Sequence, residues 1–309
     1  MGFFQKIKRY AALASGNFEK IFKDKEIPPL PEAITKLLEK IRDPDVHMED
    51  VANIISSDPG LSTQILKIVN SAMYGFPGQI TSIKKAISLL GLKKIENVAI
   101  SYGVMKAVKD PGKSGFDFNL FWSVSLYRAI VARELSKECR MGDPDEAFTG
   151  SLLQDIALPV LLKEWFDVYE KVYKKWVSGN MPLHRVEDQE LSWNHAQAGA
   201  WLAKRWELPA ILVCCIGLHI EPLERIRALE LWNTSVVPVN LSAKLPVGDK
   251  SDELKEFVEA AKEVGISEAE LLEVGSKSYQ LLQDLAVSFG IRQLKVKSLE
   301  ELLQAGSKS

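Results

Sequence analysis

The chain has 309 residues, a formal charge of −2, 46% apolar side chains and 26% charged ones. This balance excludes global disorder, collagen-like repeats and coiled-coil rods, and the length can bury a large core without disulfide staples. A pI near 6.2 argues against a chain whose main task is broad nucleic-acid binding. The three cysteines, Cys139, Cys214 and Cys215, form no CxxC and no disulfide framework, so buried small thiols in a reducing cytoplasm are expected. The longest apolar stretches, residues 156–162 and 211–218, fall far short of the about 20 residues a bilayer span needs. The first twenty residues lack the apolar h-region of a signal peptide.

Apolar residues recur at helical spacing and alternating patterns are scarce, which predicts an all-α protein. Residues 1–26 hold six Lys/Arg against three Asp/Glu, and Phe3, Phe4, Ile7 and Ala11 can share one helical face. A basic helix packed on the body is the main reading, and a membrane-surface or partner helix the alternative. Pro28, Pro29 and Pro31 then punctuate the chain. Ile34, Leu37, Leu38 and Ile41 make a short amphipathic helix that stops before Asp43-Pro44. Val51, Ile54 and Ile55 mark the inner face of a second. Asp58-Pro59 starts a third, with Asp as N-cap and Pro at the first helical position, carrying Leu61, Ile65, Leu66, Ile68 and Val69. Turn formers fill residues 71–79, Ser82 opens a helix ending at Gly91, and another helix covers roughly residues 92–108.

Pro, Gly and Ser cluster at residues 110–115, the best internal boundary. Longer helical segments are predicted beyond it, over 119–140, 144–163, 164–178, 184–206 and 208–219. The tail, 246–309, holds eight basic and twelve acidic side chains and two or three helices, with a capping box at Ser267 and Glu270.

The chain has four histidines, and HExxH, P-loop, GxGxxG, EF-hand and GxSxG patterns are all missing. His47 lies in an acidic turn and is expected to be exposed; His184 is placed in a helix's first turn. A helix-turn-helix reading of residues 82–101, with Lys84, Lys85, Lys93 and Lys94, is outweighed by a solvated lysine face. Met73, Tyr74 and Phe76 present apolar side chains on a turn and form the candidate contact loop, against the alternative that the loop folds onto the neighbouring helix.

Three stretches carry a resemblance. Residues 27–91 hold PPLP, a D-P-G-L helix start, N-S-A-M-Y-G and a helix ending L-L-G. Residues 119–162 contain NLFWSVSLYRAIVARELSKEC and AFTGSLLQDIALPVLL, and residues 193–222 read WNHAQAGAWLAKRWELPAILVCCIGLHIEP. Together they resemble the HDOD family, the HD-related output domain of bacterial signalling proteins, over about residues 27–245. The resemblance implies an HD-like multi-helix bundle with an N-terminal layer of short helices. Its expected divisions are a basic helix over 1–26, an N-terminal subdomain over 27–110, a degenerate HD-like bundle over 116–245 and a helical tail over 246–309.

Catalytic HD relatives bind metal through a His, then a His-Asp pair, then a distant Asp, and the HD-GYP branch adds histidines and hydrolyses cyclic di-GMP. The matching positions here are Val124, Gln154-Asp155 and Ala243, so only Asp155 is kept. Val and Ala cannot coordinate, and Gln is a poor substitute for imidazole. His195 and His219 resemble the extra HD-GYP ligands and, with Asp155, form the set that would hold a weak residual divalent metal. Trp122 and the other tryptophans, Trp193, Trp201 and Trp206, cluster around these segments as core residues or as walls of a vestigial cleft.

The resemblance therefore implies a non-enzymatic signalling or regulatory module with no expected cofactor. It binds a protein partner of a bacterial pathway or a small ligand such as a nucleotide, and neither DNA nor membrane. The alternative is a divergent metal-dependent phosphohydrolase built on Asp155, His195 and His219.

Overall fold

A computed structural model describes residues 3–14, 18, 26–179, 181–246, 251–291 and 293–306. Among them the regular structure is all helical, as expected, and no helix is long and apolar enough to cross a membrane. An N-terminal helix, α1 (Phe3–Ala14), precedes a layer of short helices: α2 (Glu32–Ile41), α3 (Met48–Ser56), α4 (Pro59–Val69), α5 (Ile83–Leu90) and α6 (Leu92–Ala107). The bundle follows with α7 (Phe118–Cys139), α8 (Pro144–Leu152), α9 (Ala157–Glu164), α10 (Phe166–Ser178), α11 (Leu183–Leu191) and α12 (His195–Arg205). It is completed by α13 (Ala210–Leu218), α14 (Leu223–Ala228) and α15 (Val236–Ala243). The tail contributes α16 (Ser251–Glu263), α17 (Glu268–Ser288) and α18 (Leu299–Gly306).

The predicted start signals act as expected in the N-terminal layer. The Asp58 side chain accepts from the Leu61 N–H at 2.9 Å, and the Ser82 hydroxyl accepts from the Lys85 N–H at 3.3 Å. Gly91, at φ +82°, makes the tight corner between α5 and α6, a backbone that a side chain would strain. Ser267 and Glu270 complete the capping box of α17.

The central helix is α7. It buries residues around its whole circumference, among them Trp122, Leu126, Ala129, Ile130 and Leu135, because α8, α15 and α17 surround it. Buried apolar side chains form one continuous core from Ile7 to Leu302, to which each fully buried Leu or Ile contributes about 1.5–3 kcal/mol. Trp122, Trp193, Trp201 and Trp206 all belong to this core. Ile7 and Ala11 pack α1 onto α13, as the packed-helix reading expects; the Phe3 and Phe4 side chains and residues 15–17 and 19–25 lie outside the described residues. Cys214 and Cys215 are buried, whereas Cys139 is half-buried and departs from that expectation.

Two of the long predicted helices are broken. The segment 144–163 divides into α8 and α9 around a turn at 153–156, and 184–206 divides into α11 and α12 at 192–194. Pro159 explains the first break: in one continuous helix its ring would collide with the carbonyl of Asp155 and remove that bond, whereas in the first turn of α9 its missing N–H costs nothing. The second break is set by Ser192, left-handed at φ +59°, and by a capping box in which Asn194 and Gln197 satisfy each other's backbone amides.

Small residues let the bundle helices approach closely. A Cβ on Gly150 of α8 would lie 2.7 Å from Cys215 Cβ and 3.3 Å from a Val239 methyl. Both obstacles sit on rigid helices, so α8 would have to shift. Gly150→Ala is therefore expected to destabilise the fold by about 1–3 kcal/mol through overpacking. A scanning-calorimetry midpoint unchanged from the parent chain would disprove this close approach.

Candidate functional site

The two helix breaks and one helix end converge. Asp155 lies in the turn after α8, His195 is the first residue of α12, and His219 caps the C-terminus of α13. Asp155 Oδ1 stands 3.3 Å from His195 Nε2 and 3.3 Å from His219 Nε2, and the two Nε2 atoms are themselves 3.3 Å apart. Both imidazoles are buried.

The remaining ring nitrogens fix the tautomers. His195 Nδ1 lies 2.7 Å from Glu187 Oε2 and His219 Nδ1 lies 2.7 Å from the Ile216 carbonyl oxygen. Both partners are acceptors, so each Nδ1 carries its proton and each Nε2 faces the centre. Glu187 is fully buried; it also accepts from the His195 backbone N–H at 3.0 Å and from the Tyr169 hydroxyl. Asn240 holds the end of α13, donating to the carbonyls of Leu218, His219 and Glu221 at 3.1, 3.0 and 2.7 Å.

Three acceptor atoms facing one another need positive charge between them. Burial opposes protonation of His195, but the Glu187 charge and the Asp155 hydrogen bond outweigh it and raise its pKa to about 10. Burial likewise works against ionisation of Asp155, yet the hydrogen bond from the protonated His195 and the nearby Arg128 charge hold its carboxyl well below the ordinary range. At neutral pH one proton on His195 Nε2 is thus shared toward Asp155 Oδ1 and His219 Nε2.

The other carboxylate oxygen is taken as well. Arg128 Nη1 donates to Asp155 Oδ2 at 3.2 Å and Nη2 donates to the Leu245 carbonyl at 3.0 Å. Gln154, fully buried, donates to the same Asp155 oxygen at 3.1 Å, and its own carbonyl accepts from the Ser151 hydroxyl at 3.3 Å. Val124 lies one helical turn before Arg128 on α7, and Ala243 is the last residue of α15; both are half-buried and neither offers a donor atom.

Asp155, His195 and His219 fit one divalent ion: one oxygen and two nitrogens converge, and each histidine is oriented by an acceptor behind it. They do not fit a two-metal centre, because Val124, Gln154 and Ala243 supply no further ligands.

The sequence reading brought Asp155, His195 and His219 together correctly as a group but missed Glu187 and Arg128. Glu187 sits among other acids in LHRVEDQEL, with nothing to mark it. Arg128 had a signal: a cation between Tyr127 and Ala129 on a helix apolar all round must find a buried counter-charge. His47 is exposed at the N-cap of α3, and His184 is half-buried in the first turn of α11, its pKa lowered by burial and by the His195 charge.

The contact loop is folded down onto the body. Met73 is buried, the Tyr74 hydroxyl donates to Asp145 Oδ1 at 3.2 Å, and its ring stacks with Phe76 beneath the Arg133 guanidinium. Ala72, Gly75 and residues 77–79 stay exposed. Three of the four lysines of the helix-turn-helix reading are paired: Lys93 with Glu146 at 2.6 Å, Lys94 with Asp145 at 3.4 Å, and Lys84 with Glu49.

Comparison with known proteins places the fold. The HDOD domain family model matches residues 27–222. An uncharacterized protein of Treponema pallidum (strain Nichols) is 27% identical over 197 residues, and the chain spans 37% of the length of that curated relative. An HDOD domain protein of unknown function from Geobacter sulfurreducens superposes with a TM-score of 0.65 at 19% identity, covering 91% of this chain and 99% of that one. A Shewanella amazonensis SB2B protein named "Putative phosphohydrolase" gives 0.63 at 24% identity, covering 90% and 96%. A Marinobacter aquaeolei VT8 protein named "Putative signal transduction protein" gives 0.61 at 19%, covering 93% and 66%. At these identities the structures establish the fold alone.

The raised His195 value has a signed consequence. The imidazolium's contribution to stability is complete below the unfolded value near 6.5 and is lost as pH rises through about 10. Unfolding free energy should therefore fall across that window, and Glu187→Gln should flatten the fall. An NMR titration placing the His195 imidazole near its ordinary value would refute the shared-proton arrangement.

Proposed function

The chain belongs to the HDOD family, and on that premise we propose that it is a regulatory module without catalytic turnover, signalling through ligand or partner binding. The observation that carries this reading is Arg128 on Asp155. A guanidinium supplies fixed positive charge to the one ligand-type carboxylate kept from the HD pattern. Unlike a metal ion it has no open coordination position and cannot acidify a bound water. Val124, Gln154 and Ala243 reinforce the same conclusion, since the positions that would complete a hydrolytic centre hold side chains that coordinate poorly or not at all.

The fold offers a route for the signal. The first turn of α8 receives Tyr74 on Asp145, and the turn that leaves α8 carries Asp155. A partner engaging the exposed parts of the Met73–Tyr74–Phe76 loop would press on one end of α8, and a ligand near Asp155 would act on the other. A helix of nine residues transmits such a push as a rigid rod about 13 Å long.

The convergence of Asp155, His195 and His219 favours a second reading, a divergent phosphohydrolase. These three residues would hold the ion, and a bound ion would supply an acidified water. The shared His195 proton and the Arg128 pairing both compete with that ion.

Untagged protein should show no hydrolysis of cyclic di-GMP or bis(p-nitrophenyl) phosphate with manganese or zinc beyond the level of an Asp155→Ala variant. Metal-dependent turnover that disappears in Asp155→Ala would overturn the regulatory reading and install the hydrolase.

A further inference from the structure

The turn between α4 and α5 is a closed loop. Asn70 pinches its neck: Oδ1 accepts from the Ile80 N–H at 2.7 Å, and Nδ2 donates to the Ile80 carbonyl at 2.8 Å. Inside the loop the Tyr74 and Gly75 N–H groups donate to the Ser71 carbonyl at 3.2 and 3.4 Å, and the Tyr74 and Phe76 rings stack. Residues 71–79 are therefore a compact unit on a fixed neck, in the manner of a small Ω-loop. Two side chains from other elements hold the unit down. Asp145 of α8 accepts from the Tyr74 hydroxyl at 3.2 Å, and Asp284 of α17 accepts from the Ala72 N–H at 2.8 Å. Met73 is the apolar side chain that the loop buries.

The space beneath the loop is imperfectly filled. Met73, Tyr74, Asn97, Phe148, Thr149 and Phe289 surround a cavity with room for about one water molecule. Asn97, on α6, is 3% exposed, and its Nδ2 has no acceptor. An unmet buried donor opposes the closed arrangement, and lifting the loop would give that donor water. The Tyr74 latch is also light. Asp145 accepts from Arg133 Nε at 3.3 Å and pairs with Lys94 at 3.4 Å. Its charge stays compensated when the Tyr74 hydroxyl leaves, so opening forfeits a neutral donor and no ion pair. Asp284 is exposed, and water can take the place of either partner there.

We infer that residues 71–79 are a latched lid, which opens as a unit about the Asn70–Ile80 neck when Tyr74 leaves Asp145. This rests on the regulatory reading and deepens it by naming the element that moves. Closed, the lid ties the first turn of α8 to the N-terminal layer, next to the place where the Ser101 hydroxyl of α6 meets Thr149 of α8 at 3.4 Å. Open, it uncovers the Met73, Phe148 and Phe289 side chains and frees that turn of α8 from the loop. An event at the loop is then passed to α8 by release, and α8 ends at the turn that carries Asp155. The two arrangements lie close in free energy because the closed one buries Met73 while leaving Asn97 unmet.

The test is iodoacetamide labelling of the whole chain carrying Met73→Cys, read peptide by peptide by mass spectrometry. Cys214 is fully buried, so its labelling in the same sample reports global unfolding. The thiol at position 73 should label about tenfold or more faster than Cys214, as local opening requires. In the same background Tyr74→Phe should speed labelling at position 73 about fivefold, the worth of one neutral hydrogen bond, and leave Cys214 unmoved. Asn97→Leu, of similar size and without a donor, should slow labelling at position 73, because the closed lid then buries no unmet group. Equal rates at position 73 and Cys214 would overturn the lid, since the loop would move only with the whole fold. An unchanged rate in Tyr74→Phe would overturn the latch and the proposal with it. Unchanged or faster labelling in Asn97→Leu would also overturn it, because the closed loop would then satisfy Asn97 through a buried water. None of these readouts depends on turnover, so failure of the lid and failure of the regulatory reading are told apart.

Discussion

A carboxylate oxygen and two imidazole nitrogens, each 3.3 Å from the other two, cannot remain together in a buried place without positive charge between them. Much of the site's architecture follows from that demand. Glu187 sits behind His195 and raises its proton affinity, and the Ile216 carbonyl fixes His219 so that its bare nitrogen turns inward. Arg128 and Gln154 take the second oxygen of Asp155. The cluster is thus charge-balanced by side chains and one proton. The same positions in a catalytic relative would be organised around metal ions.

The geometry depends on helix ends. Asp155, His195 and His219 each sit where a helix stops or starts, and backbone direction changes there can aim three side chains at one point. Close packing then holds the ends in register. Gly150 lets α8 lie against α13, Gly199 does the same for α12 against Ile216, and Asn240 ties the end of α13 to α15. A small displacement of any of these helices would spread the three acceptors apart, and interiors packed this densely have little slack to absorb it.

The local rules in the sequence were legible where one residue decides the outcome. Asp58-Pro59, Ser82, Gly91 and Ser267 mark their helix boundaries because capping and φ restriction act within three or four residues. Pro159 and the Asn194/Gln197 box carried equally local information, and the periodic apolar pattern running through both positions masked it. Arg128 was legible only as a buried charge in need of a partner, without a hint of which one. Glu187 was not legible at all, since an acid among acids on a short helix reads as solvated surface.

By itself the sequence determined an all-helical chain and its short N-terminal layer, which rest on periodicity and capping and so act locally; the loss of HD ligands at Val124, Gln154 and Ala243 is what the family resemblance implies. Only the tertiary structure decided that Arg128 reaches Asp155, that Glu187 charges His195, and that the Tyr74 ring lies against the body. Arg128 with Asp155 and Tyr74 with Asp145 join separate elements, and Glu187 with His195 joins two consecutive helices whose angle the sequence does not give; which buried charge meets which is settled by helix packing and by the cost of leaving any of them unpaired.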